Sequence, residues 1–161
     1  MKVSIREVEE TDNLLLAEII RRTFEEFGAP RQGTVYSDPT TDNLYQLFRA
    51  EKSVLRVALA DGKPAGCCGI YPTKGLPDNC AELVKFYLSA EYRKKGIGKE
   101  LLAKSIESAR LFGYTKLCLE SLPQFSEAVK LYEKQGFLKL NEPLGESGHT
   151  SCNIWMIKDL C

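Results

Sequence analysis

The chain is poor in the residues that build metal centres and lacks the apolar runs that build membrane spans. Its single histidine, His149, cannot complete a zinc set, and its six cysteines (Cys67, Cys68, Cys80, Cys118, Cys152 and Cys161) include no C-x-x-C pair. They read as reduced, buried thiols, and no metal is expected. No stretch approaches the roughly 20 apolar residues of a membrane helix. The start, Met1-Lys2-Val3-Ser4-Ile5-Arg6-Glu7, has charges where a secretory segment needs a continuous apolar run. A soluble, cytoplasmic protein without a membrane partner is the expectation. Net charge is also missing, because 22 basic residues balance 22 acidic ones. No global field draws the chain to nucleic acid, so any anion it binds must be held locally.

What is present suits one domain spanning residues 1–161, long enough to bury about two-thirds of the surface its unfolded form exposes. Val3 and Ile5 alternate with polar residues as in a short strand. Thr11 or Asp12 can then cap a helix carrying Leu16, Ile20, Thr23, Phe24 and Phe27, and Gly28 stops it. Residues 28–39 are rich in turn formers and predict an exposed, mobile loop, followed by a second helix with Leu44, Leu47 and Phe48 on one face. Leu55, Val57 and Leu59 alternate up to Asp61-Gly62, a two-residue hairpin signal, and residues 65–71 return as the partner strand. A strand at 82–88, a helix at 97–112 ended by Gly113 and a strand at 116–120 make a β-α-β unit. A helix at 126–135 ended by Gly136 and strands near 137–140 and 152–157 complete the chain. The order β-α-α-β-β-β-α-β-α-β-β implies an α/β (α+β) fold with a central mixed sheet and helices on both faces.

Chemistry enters at Arg93-Lys94-Lys95-Gly96-Ile97-Gly98-Lys99, between a predicted strand and a helix whose apolar face is Ile97, Leu101, Leu102, Ile106 and Ala109. Two glycines let the backbone approach a ligand closely. The free amides of a first helical turn, aided by the helix dipole, favour negative charge. Each such contact is worth about 0.3–1 kcal/mol when exposed, so several amides and the flanking lysines must act together. Known phosphate loops do not fit: a Walker A loop ending at Gly98-Lys99 needs glycine where Arg93 stands, and a dinucleotide fingerprint starting at Gly96 needs glycine where Leu101 stands. By itself the turn is a phosphate site or an ordinary basic turn.

With its surroundings, the turn resembles the GCN5-related N-acetyltransferase (GNAT) family, whose signature is R/Q-x-x-G-x-G/A at the start of the central helix. The residues from Glu82 through Tyr92 lead into it as that family's fourth strand does, and Ala128-Val129-Lys130-Leu131-Tyr132-Glu133-Lys134-Gln135-Gly136-Phe137 is similar to its A-x-x-L-Y-E-K-x-G-F segment. The resemblance implies a GNAT-like fold over nearly the whole chain and acetyl-CoA as acyl donor. Backbone groups of Phe86, Tyr87 and Leu88 would pair with pantetheine. Arg93, Lys94, Lys95, Gly96, Ile97, Gly98 and Lys99 would form the pyrophosphate turn. One position departs: where many members carry asparagine seven residues before the tyrosine, this chain has Phe125.

An amine acceptor with pKa near 10.4 must lose a proton before it can attack, a cost of roughly 4–5 kcal/mol at neutral pH. A base, an oxyanion donor and an acid for the departing thiolate are therefore needed. Glu82 is the candidate base, at a spacing some family members use, against a plain reading as a solvated strand-end carboxylate. A main-chain amide near Tyr87 or Leu88 is the expected oxyanion donor. Tyr132 is the candidate acid by the same resemblance, or else a core aromatic. Lys85 and Tyr87 either line the acceptor cleft or are turned outward by a bulge. His149 is a substrate residue or a solvated loop histidine. Glu25, Glu26, Asp38 and Asp42 flank the early loop, as plain surface or to attract a cation. The expected partner is an amine-bearing small molecule or protein, bound by a monomer or a homodimer joined through apolar terminal strands with Ile154, Trp155 and Ile157. A non-catalytic module that binds coenzyme A and a general anion or nucleic-acid binder are the rival readings.

Overall fold

A computed structural model describes all 161 residues. Seven strands, β1 (Val3–Glu7), β2 (Val54–Ala60), β3 (Lys63–Tyr71), β4 (Cys80–Leu88), β5 (Lys116–Ser121), β6 (Leu138–Leu140) and β7 (Ile154–Asp159), form one sheet in the order β1-β2-β3-β4-β5-β7-β6. Every neighbouring pair is antiparallel except β4 and β5. The long α3 (Ile97–Leu111) joins those two, and α1 (Asn13–Phe27), α2 (Leu44–Leu47) and α4 (Ser126–Lys134) complete the fold. No helix is long and apolar enough to cross a membrane.

The apolar periodicities sort the helices onto two faces. Ile97, Leu101, Leu102, Ile106 and Ala109 of α3 meet Ala81, Leu83, Leu117, Leu119 and Met156 of the sheet, with Tyr132 and Phe137 in the same core. Leu16, Ile20 and Phe24 of α1 meet Leu44, Phe48, Leu55, Val57 and Cys67 on the other side. With both faces covered, the central strands read as near-continuous apolar runs. Gly28 ends α1 in the left-handed conformation, φ 63°. Asp61 and Gly62 both take positive φ, as the tight hairpin between β2 and β3 requires.

Two expectations need correction, and a third holds in part. The second helix is a single turn of four residues, preceded by short 3-10 turns at Val35–Ser37 and Pro39–Asp42. The last strand slides to Ile154–Asp159 and inserts between β5 and β6, so the two terminal strands do not simply follow each other across the sheet. The 28–39 loop is exposed as expected at Gly28, Pro30, Arg31, Gln32, Ser37 and Pro39, but it is anchored at two buried points, Ala29 at 6% and Thr34 at 2% exposure. Its polar groups are satisfied internally, as the Thr34 hydroxyl donates to the carbonyls of Pro30 and Arg31, Asp38 caps Thr40, and Ser151 bonds Gln32 and Gly33. A loop whose backbone finds such partners can be buried at little cost.

Gly66 shows how tightly β3 and β4 are set. A Cβ there would lie 2.3 Å from the Tyr87 carbonyl oxygen and 2.9 Å from the Leu88 Cα. Gly66→Ala is expected to destabilise the fold by about 2 kcal/mol or more, the scale of a forced backbone shift. The urea midpoint should fall at constant m-value. A midpoint equal to that of the unmodified protein would show that the two strands can part there.

Candidate active site

Parallel pairing between β4 and β5 covers only Cys80, Ala81 and Glu82 opposite Lys116, Leu117 and Cys118. Beyond Glu82 the two strands separate, and residues 83–88 lose their β5 neighbour. On the β3 side the register steps from Gly69↔Val84 to Cys67↔Tyr87, so three steps on β4 match two on β3. This bulge carries one extra residue, and Lys85 absorbs it with φ 57°. Phe86 and Leu88 consequently face the α3 core while Val84 and Tyr87 face the α1 core. Lys85 lies on the α1 side, among Asp38, Glu82, Cys67 and Cys152. A cleft of about 390 Å³ opens where the strands part, lined from Gly96 and Gly98 at one end to Glu82, Glu120 and His149 at the other.

The first side is built from main chain. Arg93 donates its amide to Ala90, and Glu100 is the next residue to donate one, to Gly96. Between them the amides of Lys94, Lys95, Gly96, Ile97, Gly98 and Lys99 have no acceptor in the protein. Positive φ at Lys94 and Gly96 shapes the turn, and no side chain caps the helix start. Unpaired amides at a helix N-terminus are an anion cradle, and a pyrophosphate fits their chemistry. Gly98 stands 3.4 Å, at its missing Cβ, from the Phe86 ring, so a larger side chain would crowd the cleft wall. The Arg93 side chain has another task. It pairs with Glu26, donates to the Leu88 carbonyl and lies over the Phe27 ring at 5.0 Å, fastening the end of α1 to the end of β4.

Tyr132 of α4 is 7% exposed, and its ring lies 5.8 Å from both Phe86 and Phe137. Burial drives its phenol pKa upward, so the hydroxyl stays protonated. It donates to nothing in the protein, and because no sealed polar atom lacks a partner, it opens on the cleft it lines. Phe125, at the departing position, stacks edge-on against Phe24 at 5.1 Å and Phe27 at 6.0 Å. An aromatic wall stands where a polar side chain would have reached into the cleft.

The second side is built from side chains. Glu82 is 6% exposed, not solvated at a rim, and accepts a short hydrogen bond from the Thr73 hydroxyl. Burial, with the neighbouring Glu120 charge, raises its pKa to about 7 against the opposing pull of Thr73 and Lys85. Glu120 accepts from the Ser147 hydroxyl at 2.7 Å. Asp38 meets His149 Nε2 at 2.8 Å and accepts from the amide and hydroxyl of Thr40. Burial opposes ionisation of Asp38, but these hydrogen bonds outweigh it and bring the pKa down to about 2. Lys85 is 7% exposed, and burial lowers its pKa. Cys67 is buried at the base of this group, donates to the Lys85 carbonyl at 3.1 Å, and is pushed well above the usual thiol range.

The structure thus brings Glu82, Lys85, Phe86, Tyr87, Leu88, the 93–98 turn, Tyr132 and His149 to one cleft. Lys95, Ile97 and Lys99 belong to the cradle through their amides; the Ile97 side chain is core. Sequence reasoning passed over Glu120 and Thr73 and placed Asp38 among surface acids. Glu120 left a signal, a carboxylate that breaks the apolar run Leu117-Cys118-Leu119 on an interior strand. Asp38 left none, since its partner His149 is 111 residues away.

A strand pair that opens beside a helix start with free amides is the architecture of an acyltransferase fold, and residues 15–137 match the model of the acetyltransferase (GNAT) family. The chain belongs to that family. It is 33% identical over 150 residues to YjgM of Escherichia coli, an uncharacterized N-acetyltransferase, covering 92% of this chain and 90% of that one. Among solved structures, a GNAT acetyltransferase from Staphylococcus aureus superimposes with a TM-score of 0.87 at 21% identity over 99% of this chain and 100% of the other. The PaiA N-acetyltransferase of Thermoplasma acidophilum, solved with coenzyme A, gives 0.76 at 24% identity over 99% of each chain. At these identities the structural likeness speaks for the fold.

The Glu82 environment has a measurable consequence. Its carboxyl holds a proton more tightly when folded, at about 7, than in the unfolded chain. The resulting stabilisation is present below the unfolded pKa of about 4.3 and is lost as pH rises through the folded value, by roughly 3 kcal/mol in all. Urea unfolding from about pH 4.5 to pH 8 should show the unmodified protein losing this amount relative to Glu82→Gln. Parallel stability curves for the two proteins would place the carboxyl in water.

Proposed function

We propose that the protein transfers an acetyl group from acetyl-CoA to a primary amine by direct attack in a ternary complex. The observation that carries this reading is the junction of two unlike half-sites in one cleft: free main-chain amides on one side and a buried carboxyl with pKa of about 7 on the other. Acetyl-CoA supplies an activated thioester when bound.

The amides of Lys94, Lys95, Gly96, Ile97, Gly98 and Lys99 hold its pyrophosphate. Backbone groups of residues 86–88, released from β5, pair with the pantetheine arm as a missing strand would. Phe125 and Phe27 shield that arm from water by apolar contact in place of a side-chain hydrogen bond. Glu82, poised near neutrality, takes the proton of the incoming ammonium, directly or through a water. A main-chain amide at Tyr87 or Leu88 donates to the carbonyl oxygen as charge builds there. Tyr132, kept neutral by its burial, gives its proton to the departing sulfur. His149 stands across the cleft from these groups, held by Asp38, where an acceptor must pass.

Acceptor-dependent release of coenzyme A across a panel of amines, amino acids, peptides and polyamines tests the reading. Tight acetyl-CoA binding with no release from any class would assign the protein to cofactor binding alone. Tyr132→Phe is expected to lower kcat about 10- to 100-fold while the acetyl-CoA Kd moves less than about threefold. An unchanged kcat would remove Tyr132 from the reaction. Glu82→Gln should flatten the rise of kcat/KM with pH through about 7, since the limb reports the base in the free enzyme.

A further inference from the structure

We propose that the acceptor carries a carboxylate beside its amine, as a free amino acid does, and that Lys85 is the residue that binds it. This rests on the acetyl-transfer reading of the cleft and goes further by naming the acceptor class.

The charged groups on the acceptor side can be followed one by one. Glu82 has Thr73, Glu120 has Ser147, and Asp38 has His149 and Thr40. Lys85 has nothing. Its ammonium enters none of the protein's eight ion pairs and makes no side-chain hydrogen bond, although the residue is 7% exposed. Asp38 and Glu82 are near enough to be felt but lie outside ion-pair distance, with their oxygens turned to other donors. No sealed nitrogen or oxygen in the protein lacks a partner, so this unpartnered Nζ opens on the cleft that Lys85 lines.

A buried ammonium that no counter-ion touches is costly, and a fold that keeps one can meet an anion that arrives with the ligand. The pyrophosphate cradle lies on the far side of the separated strands, so the donor's phosphates are already provided for. The anion at Lys85 therefore comes with the acceptor. The bulge matters here, because a regular strand would turn position 85 into the α3 core, whereas the extra residue leaves Glu82 and Lys85 on the same side of the sheet. A zwitterion can lie along β4 with its ammonium toward Glu82 and its carboxylate toward Lys85. Phe24, Val35 and Tyr87 offer an apolar wall for the rest of the molecule. A polyamine would bring a second cation to Lys85, and a lysine side chain in a protein brings no carboxylate at all.

The test uses matched pairs that differ only in the carboxylate: L-phenylalanine with 2-phenylethylamine, L-leucine with 3-methylbutylamine, and L-methionine with 3-(methylthio)propylamine. Calorimetry on the protein loaded with coenzyme A measures binding, and coenzyme A release from acetyl-CoA measures turnover. At least one amino acid is expected to bind, and to react in kcat/KM, roughly 30- to 100-fold better than its decarboxylated partner, the scale of a buried charge contact. Lys85→Gln should lower kcat/KM for that amino acid about 30-fold more than for the matched amine. A change acting through Glu82 would lower both members equally, so equal losses overturn the proposal. Lys85→Met, which keeps the apolar stem, serves as the second variant, with the urea midpoint confirming that each is folded. Amines that react as well as their amino acids, or bind as tightly, would overturn the carboxylate site while leaving acetyl transfer in place. Amino-acid preference in binding without turnover of any amine would do the reverse.

Discussion

The parallel ladder between β4 and β5 is three residues long, and its brevity organises the molecule. A backbone group without a partner in a buried setting must be satisfied by something else. Where two central strands separate inside a sheet covered on both faces, the exposed edge is neither a solvated rim nor a sealed core. It becomes a slot lined by residues of both cores. The α3 amides stand at one mouth of this slot because α3 starts five residues after Tyr92, before the chain has turned away from the strand it left. The carboxylates and Lys85 stand at the other because the β4 bulge holds position 85 on that side.

The two mouths are built on different physics. The first is lined by unpaired main-chain amides and glycines, which the fold supplies with little demand on side-chain identity. The second rests on side chains whose charges are set by burial. Glu82 is buried and Asp38 only half-buried, and one is driven up to about 7 while the other falls to about 2. Glu82 has a single hydroxyl donor and another carboxylate nearby. Asp38 has a ring nitrogen, a hydroxyl and an amide. Depth of burial and the count of donors together decide the outcome, and they leave one carboxyl near neutrality and the other an anion paired with His149.

Most of the fold was legible because local signals agreed with the tertiary result. The α1 stop at Gly28, the Asp61-Gly62 hairpin and the apolar stripe of α3 each have a cause within a few residues. The turn of unpaired amides from Lys94 to Lys99 has a cause of the same local kind, since its glycines and basic residues are nearly consecutive. What could not be read depended on contacts made across the chain. The buried anchors of the 28–39 loop, Ala29 and Thr34, are held by contacts that include Ser151, whereas composition alone says turn and therefore surface throughout. Arg93 reads as one more cation of the phosphate turn, whereas the folded chain uses its side chain to hold Glu26 and Phe27. The depth of Glu82 depends on Thr73 and on the register with β5, neither of which a carboxylate at a strand start announces.

The bulge ties these strands of reasoning together. One inserted residue in β4 inverts the facing of every side chain beyond it. Without it, Phe86 could not meet Tyr132 in the α3 core, Tyr87 could not close against Phe24, and Lys85 would be an ammonium buried among leucines. The cost of holding Lys85 at positive φ, of order 1–2 kcal/mol for a residue with a side chain, is therefore set against the placement of three consecutive residues. Strain of this kind persists only where its neighbours over-determine it, and here they do: Gly66 leaves no room for the strand to shift back, and Cys67 fixes the Lys85 carbonyl from behind. The strained residue and the unpartnered charge are the same residue, so two local costs to folding stability coincide at position 85.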